Sequence, residues 1–363
     1  MNRNKSILFI MAVAIAALVM LLVSTTGFWN NEYFAVYFKP TCFKPVDARG
    51  YKICDELPYT EINCGNSEVG RSSKRFLVPN EIVFIWFAKN KSFEYYNYLA
   101  LRSVASIQNP NKIKVYYSSR LPSGKYWERT VVEIPCLEFI QIKEPSEVFG
   151  VEMPDVMRRT DLARMNVIIK SGGVYLDGDV ITLKNFDSLR IYPTTLGRST
   201  KFNVCVCVIL AEKGSIFLKE FRKQFPYHFQ MKRPAFFTTK YLGKFASTSF
   251  EVRIEESSIN RPNPHVKEDG ILSTTMDRID ISENYFLHIH PRRVIHSKFP
   301  ACLKMEDDEL RILDTVYGEA ARIALFGSSD LIFKPGEKIF EMKEKRKLVT
   351  FPSIRDLIDS END

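Results

Sequence analysis

An α/β fold is predicted by three features of this chain. Apolar strand runs alternate with helical segments, one strand–helix–strand series requires a parallel crossover, and a carboxylate pair closes one of the strands. The run 81–88 (Glu-Ile-Val-Phe-Ile-Trp-Phe-Ala) is long enough for a strand buried on both faces. A helical pattern over 93–108 follows, and 112–117 forms the second strand. After a strand near 137–142, a helix is expected from Pro154-Asp155 to Ser171, with proline in its first turn and Gly172-Gly173 as its stop. Val174-Tyr175-Leu176 is a short strand ending at Asp177-Gly178-Asp179. A strand over 204–210 and helices over 215–224 and 308–325 complete the pattern.

The ends of the chain have a different character. Residues 7–23 are 17 consecutive apolar side chains, preceded by Arg3 and Lys5, and the first acid afterwards is Glu32. A helix of about 20 residues spans a bilayer, and basic residues flank the cytosolic end. The expectation is a signal anchor over 7–28 after a cytosolic tail at 1–6, with the rest luminal. A cleaved signal peptide is the alternative, although its apolar region would be shorter. Residues 29–78 are Cys-, Lys- and polar-rich without sustained periodicity and are expected to form a stem. The globular domain is then expected over 79–333, and a solvated tail over 334–363.

Composition narrows the function. The chain has 363 residues, 45% apolar and 26% charged, with a net charge of +8. That is ordinary for a folded protein and excludes disordered, collagenous and disulfide-miniprotein classes. The positive balance suits acidic small molecules or a membrane surface, and no zinc-finger or RNA-binding spacing is present, so a nucleic-acid partner is not expected. Seven cysteines, an odd number, require at least one free thiol or an interchain pair. Cys205 and Cys207 lie in a run where successive side chains face opposite sides, so they are read as buried strand residues and a poor metal clamp. Asn90-Lys91-Ser92 is a glycosylation sequon.

The candidate chemistry lies between 159 and 180. Asp177 and Asp179 flank one glycine at the carboxyl end of a strand, where ligands bind in open α/β sheets. Their hard oxygens suit Mn²⁺ or Mg²⁺, which take their remaining ligands from water and substrate phosphates. Gly178 adds no bulk and would let a diphosphate approach. Asp161 and Arg164, three apart on the preceding helix, share one face and could hydrogen-bond sugar hydroxyls.

The string Asp161-x-x-Arg164 through Gly172-Gly173-Val174-Tyr175-Leu176-Asp177-x-Asp179 resembles the sugar-binding region of DXD-containing glycosyltransferases, the group of initiating mannosyltransferases, α-1,4-galactosyltransferase and α-1,4-N-acetylglucosaminyltransferase. The resemblance implies a GT-A-like single domain around a mixed, mostly parallel sheet. It implies retaining transfer from a nucleotide sugar, a UDP-sugar by expectation, to a glycolipid or glycoprotein. Asp177 would bind the donor ribose and a metal-bound water, and Asp179 the Mn²⁺ or Mg²⁺. Asp161 and Arg164 would hold the transferred sugar, Tyr175 would line the donor pocket, and Trp86 would stack on the base. Tyr175 and Trp86 are equally readable as packed core residues. In the cluster 288–297, Arg292 could close over the diphosphate and His296 could supply a metal ligand. A type II Golgi membrane enzyme is the expected setting, with the endoplasmic reticulum as alternative. Two rival functions stay open: a haloacid-dehalogenase-type phosphatase with Asp177 as nucleophile, and a catalytically silent luminal protein that binds sugar nucleotides.

Overall fold

The strand that organises the molecule alternates its apolar side chains between two cores. In a computed structural model, which describes residues 51–65, 76–87, 91–153, 155–225, 237–260, 279–291 and 303–337, this strand is the second among the described residues. β1 is Tyr51–Ile53 and β2 is Glu81–Trp86. Ile82, Phe84 and Trp86 of β2 pack into one core, while Val83 packs into the other with Ile85 against it, as a period of two requires for a strand covered on both faces.

The next elements are helix α1 (Tyr95–Gln108), β3 (Lys112–Tyr117), helix α2 (Lys125–Glu133) and β4 (Leu137–Gln141). β2, β3 and β4 pair in parallel, which confirms the crossover reading. A two-residue hairpin, β5 (Glu147–Val148) and β6 (Val151–Glu152), leads to helix α3 (Val156–Ser171). Then come β7 (Gly173–Leu176), β8 (Val180–Thr182), β9 (Thr194–Arg198), β10 (Val204–Ala211) and helix α4 (Ile216–Lys223). Helix α5 (Leu242–Ser247), β11 (Arg253–Glu255) and β12 (Phe286–His288) precede the last described segment, α6 (Asp307–Leu310), α7 (Val316–Phe326) and β13 (Leu331–Phe333).

The main sheet runs β11-β9-β10-β7-β2-β3-β4. It is mixed: β10 is antiparallel to both β7 and β9, and the other neighbours are parallel. The chain winds outward from β2 through β3 to β4, then returns to place β7 on the other side of β2. The carboxyl ends of β2 and β7 therefore flank a topological switch point, where an open α/β sheet leaves a crevice. β7 approaches β2 so closely that a Cβ on Gly173 would lie 2.6 Å from the Glu81 carbonyl oxygen, and Gly173 has φ +110°, so only glycine serves there. α1 and α7 cover one face of the sheet, and α3, α4 and α5 the other.

Several element boundaries move for identifiable reasons. α1 begins at Tyr95 rather than 93 because Glu94 and Asn97 form a reciprocal capping box. Asp155 is not inside α3 but caps it, accepting from the Arg158 N–H at 2.9 Å. The helix expected over 308–325 is two helices. The Thr315 hydroxyl caps α7, and the buried Arg322 guanidinium donates to the Leu310 and Leu313 carbonyls at the break.

The larger correction concerns the stem. Residues 51–65 are integrated into the globular unit: β1 pairs in parallel with β13, the Thr60 N–H donates to Leu325 O at 2.8 Å, and Cys64 is disulfide-bonded to Cys136 just before β4. Cys54 is also disulfide-bonded and is buried. The segment has no periodicity of its own because it borrows its partners from the far end of the chain. Glu337, in the expected tail, likewise binds the Arg311 guanidinium through both carboxylate oxygens, at 2.8 and 2.5 Å. Among the described residues no helix is long and apolar enough to cross a membrane. The expected anchor at 7–28, Asn90, Arg292, His296 and most of the tail lie outside the described residues.

Candidate active site

Asp177 and Asp179 sit in the tight turn between β7 and β8. The Asp177 N–H donates to Cys207 O at 2.9 Å, the Val180 N–H returns to Asp177 O at 3.1 Å, and the Ile289 N–H donates to Asp179 O at 2.9 Å. Gly178 has a different role from the one expected. A Cβ there would lie 2.8 Å from the Phe84 ring and 3.1 Å from Asn97 Nδ2, and Asn97 also donates to Gly178 O at 2.5 Å. Packing against β2 and α1 by itself demands the glycine.

Beneath the turn lies a buried ionic floor. Asp161 and Arg164 are each 5% exposed, on the face of α3 that meets β7. Arg164 Nη2 is 3.2 Å from Asp161 Oδ1 and 3.3 Å from Asp177 Oδ1, and its Nη1 donates to Val206 O at 2.7 Å. The guanidinium also lies over the Tyr175 ring, 4.5 Å from its centroid. The Tyr175 hydroxyl donates to Asp177 Oδ1, as a residue two back on the same strand face can. Tyr175 is itself 2% exposed. The expected sugar-holding pair is thus engaged in fixing Asp177, and Tyr175 orients that carboxylate from below. Burial pushes the Asp161 carboxyl up to about 6, against the opposing pull of Arg164. Burial also raises Asp177, with Arg164 opposing and Asp179 adding repulsion.

The upper part of the site is more open, with the Asp177 and Asp179 side chains 25% and 21% exposed. β12 pairs antiparallel with β8, opposing His288 to Val180, and this brings His288 Nε2 to 3.1 Å from Asp179 Oδ1. His290 follows with a positive φ of 56° and places its ring centroid 3.4 Å from that of His288. A donor atom from each of Asp179, His288 and His290 lies within 4.8 Å of the others. One carboxylate and two imidazoles form a mixed oxygen and nitrogen donor set that can hold a divalent transition-metal cation. Burial alone would lower the His288 pKa, but Asp179 and Cys205 overcome it and hold the imidazole well above its ordinary value. Burial opposes ionisation of Asp179, and His288 more than offsets it, so that carboxyl stays low.

β10 supplies the third wall. Its pairing with β9 shifts between Cys205 and Ile209, and this bulge presents the Val206 and Cys207 carbonyls to Arg164 and Asp177. Cys205 and Cys207 are free thiols and share one side of the strand, since residues two apart do. Their sulfurs and a ring nitrogen of His288 lie within 4.8 Å of one another, so the two cysteines do not face opposite sides. The hydrogen bond from Cys207 holds the Cys205 thiol well below its ordinary range despite burial, and burial holds Cys207 well above it.

Trp86, at the carboxyl end of β2, is 9% exposed, stacks with Phe84 at 6.3 Å between centroids and meets Phe93 at a tilt, 5.7 Å away. Its surroundings are those of a core aromatic at the rim of the crevice. The pattern 159–180 pointed to the Asp161, Arg164, Tyr175, Asp177 and Asp179 group, which the fold brings together. It did not point to His288, whose position depends on a strand pairing across more than one hundred residues. The His-x-His spacing at 288–290 was the available signal.

Comparison with known proteins covers the region that carries the two acids. Residues 78–196, which contain β2, α1, α3, β7 and both acids, match the family model described as the glycosyltransferase sugar-binding region containing DXD motif. The resemblance read from the sequence is therefore shown over that region. A curated relative, glucan organizing enzyme 1 of Cryptococcus neoformans, is 29% identical over 227 residues, 55% of this chain and 60% of its own length. The chain thus spans about 60% of the curated relative it matches. Solved structures with similarity include the apo-form glycosyltransferase GlyE of Streptococcus pneumoniae, at 10% identity and TM-score 0.41 over 76% of this chain and 65% of that one. The galactosyltransferase LgtC in complex with donor and acceptor sugar analogs shows 15% identity and TM-score 0.32 over 51% and 77% of the two chains.

Proposed function

We propose that this chain is a metal-dependent glycosyltransferase that uses a nucleotide sugar, a UDP-sugar in the first instance, to build an α-linkage on a glycolipid or glycoprotein. The observation that carries this reading is the placement of the family-matching Asp177 and Asp179 at the switch-point crevice, with His288 and His290 gathered around Asp179. The donor set fits a divalent cation, and Asp179 with His288 and His290 would hold it. When bound, the cation offsets negative charge on the departing diphosphate.

The protein's own residues prepare that site. Arg164 and Tyr175 pin Asp177 in one orientation, so that it can meet the donor without reorganising. The buried floor keeps water away from one side of the crevice, while the upper carboxylates stay accessible. Asp177 is held by a cation and a hydroxyl on the same oxygen, an arrangement that blunts a nucleophile, and this favours transfer over the phosphatase reading. Retention, with the leaving phosphate taking the acceptor proton, needs no further enzyme base. A type II Golgi anchor at 7–28 completes the proposal.

The test is hydrolysis of a panel of UDP- and GDP-sugars by the full chain, with Mn²⁺ and with chelator. Slow nucleotide release from one donor, abolished by chelator and by Asp179→Asn, is expected. Silence across the panel together with metal-dependent phosphate release from a phosphomonoester would overturn the assignment.

A further inference from the structure

The thiols of Cys205 and Cys207 have no part in the proposed transfer, yet they are built like ligands. Cys205 Sγ lies 3.9 Å from His288 Nδ1, and the three donor atoms of Cys205, Cys207 and His288 fall within 4.8 Å of one another. A tetrahedral Zn²⁺ with bonds of about 2.3 Å to sulfur and about 2.0 Å to nitrogen sets neighbouring donors roughly 3.5–3.8 Å apart. Small rotations of two side chains would close the observed spacing.

The opposite face of the imidazole strengthens the case. His288 Nε2 is 3.1 Å from Asp179 Oδ1, so the ring can donate there and present Nδ1, lone pair outward, to the sulfurs. A histidine that ligates a metal through one nitrogen characteristically donates from the other to a carboxylate, which fixes its tautomer and orientation. Cys207 is fully buried, and its thiol donates to Asn260 Oδ1 at 3.2 Å; Asn260 is in turn tied to Gly197 O at 3.1 Å. The β10 bulge sets both cysteines at the same wall. The arrangement is two soft sulfur donors and one borderline nitrogen donor, with Cys207 buried and Cys205 partly exposed.

We infer that Cys205, Cys207 and His288 form a thiolate–imidazole site for a divalent cation of the Zn²⁺ class, distinct in its donors from the Asp177 and Asp179 carboxylates. Binding leaves both sulfurs as thiolates and His288 Nδ1 without a proton, the protons these three groups carried passing to solvent, and no electron is transferred. With Nδ1 on this ion His288 donates from Nε2 to Asp179, so it cannot at the same time ligate the cation proposed beside Asp179, and the two centres compete for one imidazole. The site does not depend on sugar transfer, and its test reads metal binding alone.

The test is titration of the reduced, metal-stripped full chain with Co²⁺, then with Zn²⁺. One equivalent of Co²⁺ should give an intense thiolate-to-cobalt charge-transfer band, and one equivalent of Zn²⁺ should bleach it. The band should persist in Asp177→Asn, which neutralises one carboxylate of the transfer site and leaves Cys205, Cys207, His288 and Asp179 in place, and vanish in Cys205→Ser. Cobalt spectra without a thiolate band, or a band that survives both Cys205→Ser and Cys207→Ser, would overturn the proposal. Should the buried Cys207→Ser fail to fold, alkylation of the unmodified chain decides. Zn²⁺ should slow alkylation of Cys205 at least about tenfold, a ligated thiolate being withdrawn from reaction. Equal rates with and without Zn²⁺ would refute the site.

Discussion

Arg164→Ala should behave as a folding lesion first and a binding lesion second. The guanidinium bridges Asp161 and Asp177 at 3.2 and 3.3 Å and satisfies the Val206 carbonyl at 2.7 Å, from a side chain only 7% exposed. Removing one partner of a buried ion pair costs about 3–5 kcal/mol, because the remaining charge stays desolvated. The loss is capped by protonation. With the cation gone, Asp161 and Asp177 rise further and take up protons. At roughly 2 °C per kcal/mol for a domain of this size, the expected fall in Tm is about 6–10 °C at neutral pH. The sign of the pH dependence follows from linkage. Raised folded-state carboxyl pKa values give stability that is present at low pH and lost as pH rises through them. The gap between variant and parent should therefore narrow on going from pH 7.5 to about 5.5, around the Asp161 value of about 6 in the parent. Differential scanning fluorimetry of parent, Arg164→Ala and Arg164→Lys across that range measures it, with Lys intermediate because it keeps charge but not the forked geometry. A Tm within about 1 °C of the parent and flat with pH, alongside lost nucleotide-sugar binding, would refute the structural clamp and restore a direct sugar contact.

Gly178→Ala should cost about 1–3 kcal/mol through overpacking against Phe84 and Asn97, read as a lowered unfolding midpoint. A midpoint equal to the parent's would show that the turn has slack. Asp307 accepts from Arg129 at 3.0 and 2.7 Å, from the Tyr59 hydroxyl at 2.5 Å and from Tyr95. Burial pushes its carboxyl up, and these donors outweigh it and lower the pKa. Its contribution is accordingly present above the unfolded-state pKa of about 4 and fades as pH falls through the folded value. Asp307→Asn should destabilise by on the order of 3 kcal/mol at pH 7, and by progressively less in acid, in urea titrations at a series of pH values. A deficit that stays constant into acid would contradict an ionic role.

The parts of this protein that could be read from its sequence are those governed by local rules. Alternation in 81–86, the proline and glycine punctuation around α3, and the close spacing of Asp161, Arg164, Tyr175, Asp177 and Asp179 all act within about twenty residues. Helical and strand periods carry such groups onto one face without help from distant chain. The place of 51–65 in the fold is not legible in the sequence, because the segment is held by β13 and Cys136, partners that no periodicity in the segment itself reveals. The helix at 308–325 was joined because the cap at Thr315 is a single side-chain hydrogen bond inside an otherwise apolar pattern. His288 beside Asp179, and Cys205 and Cys207 beside His288, required one strand pairing and one bulge. Residue type and near spacing thus specify which groups are available for chemistry. Which of them share a site depends on register and crossover, whose energies are summed over contacts far apart in the chain and so leave no trace in any short stretch of it.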